Sequence, residues 1–213
     1  MNYPVEEFIK KSILKNTISE VDPIELLTPN RFDIAIKFLY LKTLIHNPKI
    51  AKEIYKRHLE IFGNGKYMEY GNSDKNSENA FIKEFQKLDK SIKNNGFIKA
   101  KSLIPLSKNN SAINGAHRIA SAIFHKKKIF SIQTTLNDHN YDFKFFKNKF
   151  FPKKFLYEAA LVFTKLKLNA RVAFLWGNVF EEFDKITNKF KNVYFYDDLK
   201  LTNNGKISII YLI

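Results

Sequence analysis

The chain has 213 residues, of which 45% are hydrophobic and 27% are charged, the proportions of an ordinary globular protein. It contains no cysteine, which excludes disulfides, zinc–thiolate sites, iron–sulfur clusters and thiol chemistry within this chain. No run approaches the roughly 18 apolar residues of a membrane span, and the first residues, MNYPVEEFIKK, lack the apolar core of a signal peptide. We therefore expect a cytoplasmic protein without a membrane span.

The formal net charge of +15 comes from 36 lysine and arginine residues against 21 acidic ones. Such a basic balance usually indicates a polyanionic partner, such as nucleic acid or an anionic membrane face. Only four basic residues are arginine (Arg31, Arg57, Arg118 and Arg171), and arginine is the side chain that reads DNA bases through paired hydrogen bonds. The wealth of lysine, asparagine, isoleucine and phenylalanine is also typical of AT-rich coding sequence. We therefore favour attraction of nucleotide phosphates over binding of duplex nucleic acid.

The first part of the chain predicts helices joined by turns. We expect, in chain order, a short amphipathic helix within residues 2–19, a short strand or extended segment over 21–27, a buried helix over 34–45, a break at Asn47-Pro48 and a helix over 49–62. Asp33 is placed to cap the buried helix. Residues 63–79, GNGKYMEYGNSDKNSEN, form the clearest loop, because they hold three of the seven glycines and almost no aliphatic residue.

Residues 81–134 carry the most regular pattern. Phe81, Phe85, Leu88 and Ile92 share one helical face, and the helix is expected to end at an Asn-Gly pair, residues 95–96. We then expect strands over 101–106, 111–113 and 129–134. Between the last two strands a helix begins at Asn114-Gly115-Ala116-His117-Arg118 and runs to about residue 125. This order predicts a compact α/β unit with a mixed sheet.

Beyond residue 135 the pattern predicts a second, smaller α/β unit. We expect an aromatic connector over 137–154, helices over 155–168 and 179–190, and strands over 171–176, 193–196 and 207–213. The strand–helix–strand order predicts a small parallel unit. The last run is apolar and β-branched, which is typical of a strand buried on both faces, so we expect the native protein to continue past it. The predicted organisation is an N-terminal helix (1–19), a main domain (20–135) and a truncated small unit (136–213).

The turn Asn114-Gly115-Ala116-His117-Arg118 has the most specific chemistry. A helix N-terminus presents N–H groups and the positive end of the helix dipole, and Gly115 lets an anion approach the backbone closely. Arg118 adds a planar guanidinium that matches phosphate oxygens. Together with the helix and strand pair before it, this turn resembles the ParB/sulfiredoxin fold over about residues 20–135. In that family G-x-H-R and G-x-R-R turns bind nucleotide phosphates, which implies that Gly115, Ala116, His117 and Arg118 hold a nucleotide.

Departures from the family narrow the expected function. Sulfiredoxins carry a catalytic cysteine where this chain has Ala116, so reduction of sulfinic acids is excluded. ParB partition proteins continue into a helix-turn-helix, whereas an aromatic connector follows here, so we expect no DNA-clamp role. A third branch resembles this chain more, namely the small-molecule kinases that include free-serine kinases. They use an acidic residue near the first strand as base, and the segment IELLTPNRFD offers Asp33 for that role, with Glu25 in reserve.

The loop at residues 63–79 fits the same chemistry. Phosphoryl transfer needs cations on the phosphates, carboxylates for Mg²⁺ and a base near the acceptor hydroxyl. Lys75 would assist with the phosphates of ATP or another nucleoside triphosphate, Asp74 would bind Mg²⁺, and Glu69 is a further catalytic carboxylate. The alternative is that this loop is an ordinary solvated segment. The pattern GNSDKNS followed by INGAHR is also similar to ParB-like domains of bacterial surface-polysaccharide gene clusters.

These observations predict an ATP-dependent phosphotransferase that acts on a small hydroxylated metabolite or sugar, with surface-polysaccharide biosynthesis as one setting. The alternative is a non-catalytic ParB-like module that binds nucleotide or nucleic acid and regulates a partner. The net charge favours this second function, and the scarcity of arginine opposes its nucleic-acid form.

Overall fold

The chain contains both helices and strands in a computed structural model, which describes residues 3–15, 17–63, 65, 67, 76–167, 171–176, 193–201 and 205–212. The helices are α1 (Glu7–Lys10), α2 (Asp33–Leu44), α3 (Pro48–Phe62), α4 (Glu78–Asn95), α5 (Ala116–Phe124), α6 (Phe143–Asn148) and α7 (Lys153–Leu166). The strands are β1 (Ser19–Val21), β2 (Ile104–Leu106), β3 (Ile129–Gln133), β4 (Arg171–Trp176), β5 (Val193–Leu201) and β6 (Gly205–Leu212). None of the helices among these residues is long and apolar enough to cross a bilayer.

The first three strands form a mixed sheet with β3 in the middle. Strand β1 runs antiparallel to β3, with Ser19 opposite Ser131, and β2 runs parallel to β3, with Ile104 opposite the same residue. Parallel neighbours need a crossover connection, and α5 supplies it between β2 and β3. The predicted mixed α/β class is therefore confirmed.

Helix α2 is buried on nearly all sides, as its apolar sequence predicts. It packs against α3, α5 and α7. Just before it, the ring of Phe32 meets Phe143 and Phe146 of α6 and Phe163 of α7, with centroids 5.6, 6.2 and 6.4 Å apart. Helices α6 and α7, which the sequence places in the second unit, therefore pack into the same apolar core as α2.

Two predicted helix boundaries are confirmed by their capping contacts. The side chain of Asn47 accepts a hydrogen bond from the Ile50 N–H at 3.1 Å, and Pro48 takes the first helical position of α3. At the end of α4, Gly96 has φ +69° and its N–H donates to the Ile92 carbonyl at 3.0 Å. A glycine in this left-handed region is a common way to stop a helix.

The N-terminal helix is much shorter than predicted, since α1 spans only Glu7–Lys10 within the expected 2–19. The residues after it pair with the end of β3 instead. Leu14 donates its N–H to the Gln133 carbonyl at 2.9 Å, and Ile13 bridges to Thr134. This long-range pairing removes the chain from helical geometry, and no local pattern reports it.

Three predicted strands are shorter than expected, and the one over residues 101–106 begins only at Ile104. Over residues 21–27 the strand stops before Asp22, because that side chain accepts the N–H of the residue two positions on at 3.0 Å and turns the chain. Over residues 111–113 only Ala112 makes a bridge, to Leu106. In the segment 21–27 only Val21 belongs to a strand ladder, opposite Ile129, and the segment 111–113 makes a single bridge.

The predicted connector over residues 137–154 contains a helix, α6. The Asp142 side chain begins it by accepting the Phe145 N–H at 2.7 Å. A helix of six residues offers too few apolar positions for its period to stand out in a run of aromatic residues.

Strands β4, β5 and β6 form a second sheet in the order β4-β6-β5, with both pairs antiparallel. The predicted parallel unit is therefore wrong in its pairing, because β6 lies between the other two strands. Only three residues join β5 to β6, and so short a connection permits antiparallel pairing alone. The strand predicted over 207–213 is confirmed as β6, whereas the helix predicted over 179–190 lies outside the described residues.

Candidate functional site

The turn before α5 depends on a glycine. Gly115 has φ +93° and immediately precedes the first residue of α5. A Cβ atom at this position would lie 2.5 Å from Cδ1 of Ile104 in β2, so the backbone conformation and the packing both disfavour a side chain. The Gly115 N–H donates to the side-chain oxygen of Asn114 at 2.6 Å. The predicted placement of Gly115 at a helix N-terminus is confirmed.

An open cleft of about 1320 Å³ runs past this helix N-terminus. Its polar lining includes four residues of the turn and the first turn of α5: Asn114, Gly115, His117 and Arg118. Its apolar lining comes mainly from α4 and the residues after it: Phe81, Phe85, Leu88, Ile92, Phe97 and Ile98. A large concave site with an apolar wall and a few convergent polar groups is the usual form of a small-molecule site.

Three neighbours orient the guanidinium of Arg118 at the cleft. Its Nη1 donates to the Ser102 hydroxyl and, at 3.1 Å, to the Leu103 carbonyl. Its Nη2 lies 3.4 Å from Oε1 of Glu6, in an ion pair. The Arg118 side chain is 17% exposed. An anion in the cleft therefore meets a cation whose direction is already set, which reduces the entropy lost on binding.

Glu6 joins the N-terminal segment to the turn. Its Oε1 accepts from Nδ2 of Asn114 at 2.8 Å as well as from Arg118. Its neighbours Glu7, Phe8 and Lys11 also line the cleft. The sequence analysis missed Glu6, because 108 positions separate it from Asn114 and no local spacing reports such a contact.

Aromatic side chains hold His117. Its Nε2 lies 2.8 Å from the hydroxyl oxygen of Tyr55 in α3. Its ring meets the ring of Phe85 edge-on, with centroids 4.5 Å apart and an interplanar angle of 67°. Tyr55 was missed as a site residue because its place on the buried face of α3 marks it only as core. The contacts to α3 and α4 fix the orientation of the imidazole within the cleft lining.

Asp33, the predicted catalytic base, lies in a buried ion cluster and not among the cleft residues. It does not cap α2 but is the first residue of that helix. Arg31 donates to both carboxylate oxygens at 2.9 and 3.1 Å, and Lys37 donates to one of them at 3.1 Å. Burial would raise the pKa of Asp33, but the charges of Arg31 and Lys37 outweigh it and hold this pKa well below its usual range. A carboxylate shared by two cations is a poor proton acceptor.

The ion cluster instead supports the glycine turn. Arg31 uses its remaining terminal nitrogen, Nη1, to donate to the carbonyl oxygen of Ala112, which lies three residues before Gly115. Asp33 thereby orients the side chain that holds this part of the backbone. Its geometry assigns it a positioning role.

Lys37 extends the cluster to His58 of α3. Its Nζ lies 2.9 Å from Nε2 of His58, and because an ammonium group only donates, Nε2 accepts and the neutral ring carries its proton on Nδ1. Burial, together with the charge of Lys37, lowers the pKa of His58 well below its usual value. Both side chains are buried, so α2 and α3 share a charged contact inside an apolar core. Two residues 21 positions apart in different helices give no spacing signal, and the sequence analysis missed them.

The structure places two further predicted site residues. Ala116, the first residue of α5, is buried and is not part of the cleft lining. Glu25 is exposed in the turn after β1 and is not part of the cleft lining. Glu69, Asp74 and Lys75 lie outside the described residues. Within the described part of the chain, no group of three or more histidine, aspartate or glutamate side chains is arranged to hold a metal ion. A nucleotide-bound Mg²⁺ needs fewer protein ligands, because one or two carboxylates complete a coordination shell made largely of phosphate and water oxygens.

The cleft thus combines a glycine turn, an oriented guanidinium, carboxylates and an aromatic wall. The resemblance to the ParB/sulfiredoxin fold stays a prediction from the residues around Gly115. Comparisons with family models, with curated proteins and with solved structures find no match to this chain.

Proposed function

We propose that this chain is a kinase-type phosphotransferase that binds ATP or another nucleoside triphosphate with Mg²⁺ in the cleft and phosphorylates a small hydroxylated metabolite or sugar. The observation that carries the proposal is the position of Arg118, which is held at the N-terminus of α5 and lines a cleft large enough for a nucleotide. A guanidinium beside a helix N-terminus is a strong phosphate-binding arrangement.

The cleft offers complementary groups for the two ends of a nucleotide. The N-terminus of α5 and Arg118 would hold the phosphates, and Lys11 and Lys101 in the lining add positive charge. The aromatic rings of Phe81 and Phe85 offer an apolar wall for the base. Glu84 also lines the cleft and is a carboxylate available to Mg²⁺, which would supply neutralisation of phosphate charge.

The proposed reaction is an in-line displacement. The acceptor hydroxyl oxygen forms a bond to the γ-phosphorus, the bond from that phosphorus to the bridging oxygen breaks, and the nucleoside diphosphate leaves with the bridging oxygen. The hydroxyl proton passes to a carboxylate of the cleft. Asp33 is not assigned this step, because its carboxylate is buried and paired with Arg31 and Lys37.

A second candidate is a non-catalytic module that binds the same nucleotide to regulate a partner. The specific observation in its favour is the location of Asp33, which removes the predicted base from the cleft. Its nucleic-acid form is opposed by the arginine content, since only four arginines are present among 36 basic residues.

Calorimetric titration with Mg²⁺-ATP tests the site. Arg118→Ala should weaken binding at least about tenfold, because the helix N-terminus alone cannot replace a charged two-point donor. Arg57→Ala is the matched control: Arg57 is half exposed on α3, pairs with Glu60 and lies outside this cleft. Equal affinity of the wild type and the Arg118 variant, with both folded by circular dichroism, would count decisively against the proposal.

Turnover and salt dependence then separate the candidates. Transfer of labelled γ-phosphate to a pool of hydroxylated metabolites is expected for the phosphotransferase, and tight binding without transfer is expected for the regulatory module. Binding of nucleic acid through several phosphates would fall steeply between about 50 and 200 mM salt, whereas binding of Mg²⁺-ATP would change much less.

A further inference from the structure

We infer that residues 5–8, here called the strap, block the anion position of the open cleft through a latch, in which the carboxylate of Glu6 occupies the place of an anion at Arg118 and Asn114. Binding of a phosphate group displaces this carboxylate and releases the strap. The inference rests on the proposed function for the identity of the incoming anion. It adds the regulation of that site.

The latch uses the groups that a phosphate would use. Oε1 of Glu6 takes a hydrogen bond from Asn114 at 2.8 Å and pairs with Arg118 at 3.4 Å. Both partners belong to the polar lining of the cleft. A carboxylate and a phosphate oxygen compete for the same donors, because both are anionic acceptors that a guanidinium recognises in the same way.

The latch is also easy to displace. The Glu6 side chain is 35% exposed, so its ion pair is weakened by solvent screening. Its second oxygen, Oε2, is buried and finds no donor among the described residues, which is unfavourable for a carboxylate. The distance to Nη2 of Arg118 is long for a charge-assisted hydrogen bond. A phosphate with more oxygens and more charge would satisfy the same donors better.

The strap is anchored at both ends, and its middle lies at the cleft. On one side the Pro4 carbonyl accepts the N–H of Leu103 at 3.1 Å. On the other side Ile9 is completely buried. Between them lie Glu6, Glu7 and Phe8, which all line the cleft, and Phe8 is 63% exposed. The middle includes the first two residues of α1, and when Glu6 is released this segment can move outwards between its two anchors without unfolding of the core.

Paired measurements on the intact chain test this inference. Affinity is measured by calorimetry with Mg²⁺-ATP and with inorganic tripolyphosphate, which has the phosphate groups of ATP but no nucleobase. Strap motion is measured by electron paramagnetic resonance of a nitroxide at Phe8→Cys, a unique labelling site because the chain has no cysteine. The key variant is Glu6→Gln, which preserves shape and removes the charge. Glu7→Gln is the comparison, since it removes an equal charge from an exposed neighbour that pairs with Lys10.

We expect Glu6→Gln to bind both probes about fivefold more tightly than the wild type and Glu7→Gln to change affinity less, because only Glu6 contacts the anion donors. Glu6→Gln and Arg118→Ala should both sharpen the nitroxide spectrum without ligand. Saturating tripolyphosphate should sharpen the wild-type spectrum to the same extent.

Unchanged or weaker binding by Glu6→Gln overturns the inference, while the proposed function stands if Arg118→Ala loses binding. If no variant binds either probe, the proposed function and the displacement step both fail. The nitroxide spectrum without ligand then tests by itself whether the latch exists. A spectrum that Glu6→Gln and Arg118→Ala leave unchanged shows that no latch exists.

Discussion

Arg31 and Asp33 form a two-point ion pair in the protein interior, with Nε–Oδ1 and Nη2–Oδ2 distances of 2.9 and 3.1 Å. Removing one member of a buried pair leaves the other charge uncompensated. Asp33→Asn should therefore lower the free energy of unfolding by about 3–5 kcal/mol, measured by urea denaturation. Glu25→Gln, at an exposed position, should stay within about 0.5 kcal/mol of the wild type. Equal stability of the two variants would contradict the role given to Asp33.

The buried imidazole of His58 predicts a loss of stability in mild acid. Its pKa is lowered in the folded protein, so between pH 7 and 5 the unfolded chain takes up a proton that the folded chain does not. The free energy of unfolding should therefore decrease as the pH is lowered from 7 to 5, by at most about 1.4 kcal/mol per pH unit for this residue. His58→Gln retains an acceptor for Lys37 but does not titrate, and it should flatten the profile.

Asp33 also makes the free energy of unfolding decrease as the pH is lowered, but at lower pH than His58 does. Its folded pKa lies below the usual value, so its contribution to stability is complete above about pH 4 and is lost as the pH falls further. Acid denaturation followed by circular dichroism should show this second loss in the wild type and in His58→Gln. A profile without it would mean that the Asp33 ion pair contributes little to stability.

The glycines at 115 and 96 allow a matched test of packing against backbone strain. Both have positive φ, +93° and +69°, but a Cβ at Gly96 would have nothing within 4 Å, whereas one at Gly115 would collide with Ile104. Gly96→Ala should cost about 1–3 kcal/mol from strain alone. Gly115→Ala should cost about 1–3 kcal/mol more from overpacking and should also weaken binding of Mg²⁺-ATP. Equal unfolding free energies for the two variants would show that Ile104 moves aside.

The hydrogen bond between Tyr55 and His117 predicts a measurable loss on removal of one hydroxyl. Tyr55→Phe should lower the free energy of unfolding by about 1 kcal/mol and shift the imidazole ¹⁵N resonances of His117. Tyr40→Phe is the comparison, because the Tyr40 hydroxyl has a weaker contact, 3.4 Å from the Gln86 amide nitrogen. Unmoved His117 resonances in Tyr55→Phe would mean that the contact does not orient the ring.

Local chemistry made part of this structure predictable. Asn47-Pro48, the Asn-Gly stop after α4 and the glycine before α5 each act through their own backbone geometry, and the structure confirms all three. The apolar composition of α2 likewise predicted its burial. Such signals depend on a few neighbouring residues.

The contacts that complete the cleft could not be predicted in this way. Glu6 reaches Asn114 across 108 positions, and Tyr55 reaches His117 across 62. Asp33 has the sequence context of a catalytic base, but only the fold reveals two cations beside it. A carboxylate that would serve as a base in solvent becomes a structural anion when such partners surround it.

The middle position of β3 has a consequence for synthesis on the ribosome. Both β1 and β2 pair with β3 and not with each other. Ser19 in β1 therefore cannot pair until Ser131 in β3 has been synthesised. Strand β1 is therefore exposed, with unpaired backbone groups, until more than one hundred further residues have emerged. Contacts of such long sequence separation slow folding, because loop closure comes before any gain from pairing. The nascent chain thus has a long interval in which a chaperone could bind residues 19–21.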